Sequence, residues 1–363
     1  LDGVHIRSLA HPVASLQDPA VQLIGVHTGH LWLIALADIL LSPMGAFGLW
    51  TLLTPALGWW AMTTLLRRLG HTAPIALAMG FPFGMGLHVF RDLNWYTIEK
   101  AQVFWLPVFA LAWVRALDDG PSKWRLAVPG LLWTVITWYN LYFGILIALG
   151  AVGWTILQAV ASPRSPAVRR AVLAGLGCMV LGLPLVLWQH LLLSEAPPLA
   201  TPEAFLWQRA ALDSLSIVPL AWNRLELWRA LSPVAVAFAS VGMWHQRHST
   251  RARQLGVLGL GLTAVALGPA LITGEPGAPA RVANPVYMAL HAVIPGFWRV
   301  AKPEVFFQLP WLLILVAAAA GARQTLRTDR QRWMLLGAVI ALWLVSVRTH
   351  PAFPGMSAPV QST

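Results

Sequence analysis

Long apolar runs alternate with short polar segments along almost the whole chain. Runs of this length and composition are typical of helices that cross a bilayer. Ten spans are predicted, at residues 46–66, 73–90, 100–116, 125–140, 142–161, 168–192, 232–245, 255–273, 304–322 and 332–347. Several contain a proline, which favours kinks over helix ends because proline is common in membrane helices. The pattern predicts an all-α fold, a polytopic transmembrane helix bundle that forms a single domain over residues 1–363.

Two other segments are predicted to lie in the membrane interface. Residues 30–44 are apolar, but the run is short and Asp38 interrupts it. Such a run favours an interfacial or re-entrant helix over a crossing. Residues 201–230 interleave tryptophans with arginines and read as an amphipathic surface helix. Residues 1–45 are therefore predicted to form an outer loop with an interfacial helix.

The basic residues fall on one set of loops and indicate an orientation. Ten crossings alternate sides, and five short loops on one side carry 15 basic residues against three acidic ones. The basic residues are Arg67, Arg68, Arg115, Lys123, Arg125, Arg164, Arg169, Arg170, Arg247, Arg251, Arg253, Arg323, Arg327, Arg330 and Arg332. The positive-inside rule places these loops in the cytoplasm. Residues 1–45 then lie outside, which predicts a further helix, missing from this chain, before residue 1.

Composition excludes several classes of function. The net charge of +11 does not indicate nucleic-acid binding, because the basic residues are spread over short loops. The only cysteine, Cys178, lies in an apolar run, so neither a disulfide framework nor a cysteine metal site is expected. No HExxH, Walker or dinucleotide motif occurs. We therefore assign no cofactor and no set of metal ligands, and the only cofactor that stays open as an alternative is a divalent metal ion.

Residues 91–115 carry the densest candidate chemistry. Five polar or charged residues precede an apolar helix there, namely Arg91, Asp92, Asn94, Glu99 and Lys100. Polar groups that abut a membrane helix are costly unless they line water or a ligand. Asp92 and Glu99 are seven residues apart and would share one face of a helix. The predicted substrate groove comprises Asp92, Trp95, Tyr96 and Glu99, with Arg91 and Lys100 as candidate phosphate binders.

The segment FWRVAKPEVFF, residues 297–307, is a second candidate. Arg299 and Lys302 lie beside aromatic residues at the start of a predicted span. Two cations at a membrane surface suit a lipid phosphate. Ordinary anchoring in the interface explains the same composition equally well.

The order of these features resembles the polytopic glycosyltransferases of the GT-C fold, particularly a broad bacterial group of uncharacterised GT-C-like membrane proteins. The resemblance covers nearly the whole chain and depends on order and topology. The segments that carry it are SLAHPVASLQDP at 8–19, LLRRLG at 65–70, LNWYTIEKAQVFWLPVFALAW at 93–113, TWYNLYFG at 137–144 and FWRVAKPEVFF at 297–307. Glu304 and Val305 stand where the family usually has a second arginine near a phenylalanine.

The resemblance implies inverting transfer of a sugar from a polyprenyl-phosphate-linked donor to a glycan, lipid or protein acceptor. The reaction would take place on the outer face of a bacterial inner membrane. The family's catalytic aspartate corresponds by position to Asp2, with Asp18 as the second choice. Arg299 and Lys302 match the region that binds the donor phosphate.

Two other functions stay open. A transporter or flippase for a lipid-linked or amphipathic substrate would place ionisable residues in mid-membrane and show an internal repeat. The predicted spans show neither feature. A non-catalytic membrane assembly subunit could use the same fold as a scaffold.

Overall fold

The computed structural model describes residues 41, 43–86, 89, 101–118, 122–195, 232–268, 270–273, 280–294, 297 and 303–349. These residues are mostly helical, so the predicted all-α class is confirmed. The helices are α1 (Pro43–Arg68), α2 (Ala73–Gly84), α3 (Trp105–Asp118), α4 (Lys123–Tyr139), α5 (Leu141–Ala161), α6 (Pro166–Glu195), α7 (Pro233–His245), α8 (Thr250–Ala266), α9 (Pro285–Val293), α10 (Gln308–Thr325) and α11 (Asp329–Thr349). A 3₁₀ helix, Pro303–Phe307, leads into α10.

Three helices in the described part of the chain are long and apolar enough to cross a membrane. They are Leu141–Ala161, Pro166–Pro184 and Val305–Thr325. Ala73–Gly84 and Pro233–His245 are apolar but shorter. The chain is therefore a membrane protein by the length and composition of its helices. The number of ten crossings stays a prediction.

The predicted span 255–273 is wrong at its C-terminal end. Helix α8 ends at Ala266, and Gly268 follows with a φ of +80°. A glycine in this left-handed conformation is a common way to end a helix. Strand β1 (Ala270–Thr273) then pairs antiparallel with β2 (Ala280–Ala283), with Ala270 opposite Ala283. Hydropathy could not reveal this end, because the sequence stays apolar through it.

Four of the prolines in predicted spans lie inside helices, as predicted, whereas Pro107 and Pro310 lie in the first turns of α3 and α10. Pro55, Pro82, Pro129 and Pro184 each lie within a helix that continues past them. A proline that stays inside a membrane helix has its lost backbone bond compensated by neighbouring groups. The predicted interfacial segments stay predictions. Residues 201–230 lie outside the described residues, as does most of 30–44, and Pro43 already belongs to α1.

Helix α2 lies at the centre of the hydrophobic core. Its residues Ile75, Ala76, Met79 and Phe83 are fully buried. It packs against α1, α10 and α11. Glycines allow several helices to approach closely, as small residues do in membrane bundles. Gly58 and Gly84 bring α1 and α2 into backbone contact, and a Cβ on Gly58 would lie 2.9 Å from the Gly84 Cα.

Hydrogen bonds from side chains to backbone carbonyls join the basic loops and the helix ends beside them at one end of the bundle. The Arg323 Nη1 of α10 donates to the Gly70 carbonyl at 3.3 Å, next to the end of α1. The Arg170 guanidinium of α6 donates to the Leu117 carbonyl in α3. The Gln254 Nε2 of α8 donates to the Leu157 carbonyl in α5 at 2.9 Å. We call this the basic end, and the opposite end, where α3, α5 and α10 begin, the aromatic end.

Candidate functional site

All residues that the sequence singled out for the site lie outside the described residues. They are Asp2, Asp18, Arg91, Asp92, Trp95, Tyr96, Glu99, Lys100, Arg299 and Lys302. The structure therefore does not test their predicted roles. Two of them directly precede described residues, because Lys100 is followed by Ala101 and Lys302 by Pro303. The described residues at these two points define what such a site would rest on.

The first support is an aromatic and amide cluster where α3 begins. Gln102 is fully buried, and its Oε1 accepts a hydrogen bond from Trp105 Nε1 at 3.3 Å. The Trp105 ring lies 5.3 Å from that of Tyr139 and 4.8 Å from that of Phe104. The Gln102 Nε2 has no hydrogen-bond partner within the described ranges. The Gln102 side-chain amide can therefore still donate a hydrogen bond, and it lies two residues after the segment 91–100 in the sequence.

Asn140 fixes the turn beside this cluster. It is the single residue between α4 and α5, and it is fully buried. Its Oδ1 accepts from the backbone nitrogens of Tyr142 at 2.9 Å and Phe143 at 3.4 Å. An asparagine at this position satisfies the first amides of a helix. The turn therefore holds Tyr139 against Trp105 without a flexible loop.

The second support lies where α10 begins. Phe297 stacks on Phe306 with ring centroids 5.7 Å apart, and Tyr287 contacts Phe297 at 5.0 Å. Phe297 and Phe306 are fully buried. These two phenylalanines therefore belong to the core and are not anchors in the lipid interface. They fix the described ends of the segment that contains Arg299 and Lys302.

A long cavity of about 1110 Å³ lies between α3, α5, α8 and α10. Its walls are largely apolar, with Leu106, Phe109, Trp154 and Leu313 among them. Along α10 it extends from Leu309 to Gln324, a rise of about 22 Å in an α-helix. At the basic end its lining includes His71, Asp118, Gln246, Arg251 and Arg323, and we call this part of the cavity its mouth. No pattern in the sequence predicted this cavity.

His71 is a buried titratable group at the mouth of the cavity. Its side chain is 8% exposed, and its Nδ1 has no hydrogen-bond partner in the part of the chain that the structure describes. Burial, together with a smaller effect of the nearby Arg323 guanidinium, lowers the pKa of His71 to about 4. The imidazole is therefore neutral at pH 7. Arg67 Nη1 holds the His71 carbonyl at 2.9 Å.

Acid is expected to destabilise the protein through His71. The unfolded chain gains a proton near pH 6.5, but the folded imidazole stays neutral until about pH 4. Stability is therefore complete above pH 6.5 and falls as the pH decreases through this window, by about 2 kcal/mol after allowance for partial solvation. Thermal unfolding followed by tryptophan fluorescence should show that His71→Asn loses less stability than the wild type between pH 7.5 and pH 4.5. The exposed control His248→Asn should keep the wild-type pH dependence, and an unchanged dependence in His71→Asn would contradict the assignment.

The described residues contain no group of three or more histidine, cysteine, aspartate or glutamate side chains that could hold a metal ion. A divalent metal at the predicted site stays open, since Asp2, Asp92 and Glu99 lie outside the described ranges. Comparison of the chain with protein-family models, with curated proteins and with solved structures finds no match. Its function is therefore argued from its own residues and geometry.

Proposed function

We propose that the chain is a GT-C-type membrane glycosyltransferase that moves a sugar from a polyprenyl-phosphate-linked donor to an envelope acceptor. The observation that carries the proposal is the segregation of polar chemistry to the helix ends. Apart from their first and last five residues, the described helices contain no Lys, Arg, Asp or Glu. The buried Gln102 and the half-buried Trp105 follow the polar segment 91–100 closely in the sequence. This distribution favours chemistry at a membrane surface over ion or proton transfer through mid-membrane.

In the proposed topology the ten predicted spans cross a bacterial inner membrane and the basic loops face the cytoplasm. The clustering of those loops through Arg323, Arg170 and Gln254 supports their lying on one side. The aromatic end then faces outward. In the sequence, the segments 91–100 and 298–302 directly precede described residues at this end, and so the proposal assigns the active site to the periplasmic or extracellular face.

The proposed reaction is an inverting displacement at the anomeric carbon. Asp2 accepts the proton of the acceptor hydroxyl, and the oxygen of that hydroxyl forms the new bond to the anomeric carbon. The bond from the sugar to the phosphate oxygen breaks, and its electron pair stays on the lipid phosphate. Arg299 and Lys302 stabilise the charge that develops on that phosphate. Asp92, Trp95, Tyr96 and Glu99 line the groove, and Arg91 and Lys100 add positive charge beside it.

A lipid flippase is the second candidate, and the cavity is the observation that favours it. A groove of about 1110 Å³ lies inside the bundle and follows α10 for about 22 Å, most of the roughly 30 Å hydrocarbon core of a bilayer. Translocation of a charged head group along this route would need polar residues at its middle. The middle is instead lined by residues such as Phe109, Leu258 and Leu313.

The experiment compares envelope glycans and lipid-linked sugars, by mass spectrometry, in cells that express the full gene, its Asp2→Asn variant or an empty vector. We expect a glycan that depends on the protein, formed about 10²–10⁴-fold more slowly by Asp2→Asn because the general base is lost. Asp329→Asn is the matched control. Its carboxylate pairs with Arg332 at 2.8 Å on the exposed basic end, and it should leave the glycan unchanged.

Equal glycan formation by the Asp2→Asn variant, at equal membrane levels, would remove Asp2 from the mechanism and direct the same test to Asp18. Glycan profiles that do not differ among all samples would contradict the glycosyltransferase proposal. Lipid-linked sugars that accumulate in cells with the empty vector, but not in cells with the Asp2→Asn variant, would favour the flippase.

A further inference from the structure

The cavity has the shape and lining expected for a hydrocarbon chain. Its volume of about 1110 Å³ is at or above the upper limit of roughly 300–1,000 Å³ for small-molecule pockets. It is elongated along α10, and leucines and aromatic rings line much of its length, whereas charged side chains line it only near the basic end. An apolar chain from the surrounding bilayer would fill it without the cost of desolvating polar groups.

Glycines make one wall of the cavity smooth. Gly256 and Gly259 both line it from α8, where a spacing of three places them on one face. A Cβ on Gly259 would have only the Leu313 Cδ1 within 4 Å, at 3.7 Å, and one on Gly256 only the Met243 Cε, also at 3.7 Å. These glycines are therefore not needed for helix packing. Their effect is to leave room in the cavity.

The mouth of the cavity is polar and carries positive charge. Arg251 and Arg323 line it, while Asp118 is the acidic residue among the lining residues that the structure describes. No salt bridge to Arg251 or Arg323 occurs within the described residues. His71 adds a buried nitrogen without a partner there. The surrounding loops carry 15 basic residues against three acidic ones, so the mouth favours an anion at the level of lipid head groups.

We propose that this cavity is a binding site for an anionic glycerophospholipid. An acyl chain occupies the apolar part of the cavity, which we call the groove, and the phosphate lies at the mouth beside Arg251 and Arg323. The head-group contact of this site is at the basic end, whereas the proposed glycosyl transfer is assigned to the aromatic end. The occupant of the cavity is a membrane lipid that stays bound while the protein functions. The lipid fills a void that would otherwise separate α3, α5, α8 and α10, and it ties the stability of the bundle to the anionic lipid content of the membrane.

The test is native mass spectrometry of the full chain, delipidated in detergent and titrated with one lipid at a time. The probes are phosphatidylglycerol, phosphatidylcholine with the same acyl chains, polyprenyl phosphate and inorganic phosphate. We expect the wild type to retain one phosphatidylglycerol, with at least fivefold preference over phosphatidylcholine, and to gain thermal stability from it. Inorganic phosphate should have no effect, because without a chain it lacks the apolar contacts.

Four variants separate the groove from the head-group contact. Gly259→Leu fills the groove and should reduce phosphatidylglycerol binding at least tenfold, whereas Gly259→Ala should bind as the wild type does. Gly261→Leu is the matched control, because Gly261 lies on the same helix outside the cavity with nothing within 4 Å of its Cβ position. Arg251→Gln should remove the preference for phosphatidylglycerol over phosphatidylcholine and leave binding of phosphatidylcholine unchanged.

Three results would overturn the proposal. They are equal binding of the two phospholipids by the wild type, equal binding by Gly259→Leu and Gly261→Leu, and retention of polyprenyl phosphate in preference to phosphatidylglycerol. The last would assign the groove to the donor lipid of the proposed reaction. The glycan assay with Asp2→Asn is independent of all three, so failure of this proposal is distinguishable from failure of the proposed function.

Discussion

Replacement of Gly321 with leucine is expected to prevent formation of the native bundle. A Cβ at Gly321 in α10 would overlap the Phe238 carbonyl oxygen of α7 and lie 2.8 Å from the Gly242 backbone nitrogen. Gly242 is equally enclosed, because its own Cβ would overlap the Ala317 carbonyl oxygen and lie 2.9 Å from the Gly321 nitrogen. Neither obstacle is the end of a flexible side chain. The two helices would have to separate.

The expected cost of Gly321→Leu is at least about 3 kcal/mol, the upper part of the range for overpacked sites, since backbone must move. Native proteins are stable by only about 5–15 kcal/mol, so a loss of this size is a large part of the total. The measurement is the yield of monodisperse protein in detergent together with the midpoint of thermal unfolding.

Gly337→Leu in α11 is the matched control for this substitution. Gly337 is exposed, and nothing lies within 4 Å of its Cβ position. Leucine is also a better helix former than glycine. We expect Gly337→Leu to retain the wild-type yield and midpoint. Similar losses in both variants would show that the α7–α10 contact is not what limits substitution at Gly321.

Replacement of Asn284 with alanine is the second change with a large expected effect. The Asn284 Nδ2 donates to the carbonyls of Ala264 at 2.7 Å and Gly268 at 2.8 Å. Its Oδ1 accepts from the backbone nitrogens of Val286 at 3.2 Å and Tyr287 at 3.4 Å. One side chain thus satisfies carbonyls at the end of α8 and amides at the start of α9, and only 2% of it is exposed.

Loss of these bonds in Asn284→Ala is expected to cost about 3 kcal/mol, because buried carbonyl and amide groups are left without partners. Asn284→Asp separates the effect of the bonds that Asn284 donates to α8 from the effect of those that it accepts from α9. Its carboxylate keeps the acceptor for α9 but faces two carbonyl oxygens, so it should be at least as destabilising as alanine.

Thermal unfolding at pH 7.5 measures both Asn284 variants. Ser249→Ala is the comparison, because Ser249 caps α8 through a single bond of 3.4 Å from Ala252 in an exposed position. It should cost less than about 1 kcal/mol. An aspartate variant as stable as the wild type would show that the bonds to Ala264 and Gly268 contribute little.

Sequence periodicity and charge predicted most helices of this bundle because apolar runs and basic loops are local signals. The turn at Asn140 and the continuation of α6 through Pro184 agree with the predicted spans. The end of α8 was missed because it depends on the backbone conformation of Gly268 within an apolar run. The role of Asn284 was missed because its partners lie on another helix, and no local pattern records them.

The cavity could not be predicted from the sequence. A cavity between four helices depends on how they are placed relative to one another, and this placement is not written in any one segment. Gly256 and Gly259, three residues apart in α8, were the available signal. Such a pair equally indicates close helix packing. Only the open space beyond their Cβ positions distinguishes the two interpretations.

The single-residue connection at Asn140 also determines how the membrane topology of this protein can be mapped. A buried residue with both neighbours in helices leaves no loop for a protease, a glycosylation acceptor or a water-soluble thiol reagent to reach. A cysteine placed there would fail to react from either side of the membrane. Reporter positions belong in exposed connections instead, such as Arg164 between α5 and α6 and Arg247 between α7 and α8. Labelling of both from the same compartment is the expected result.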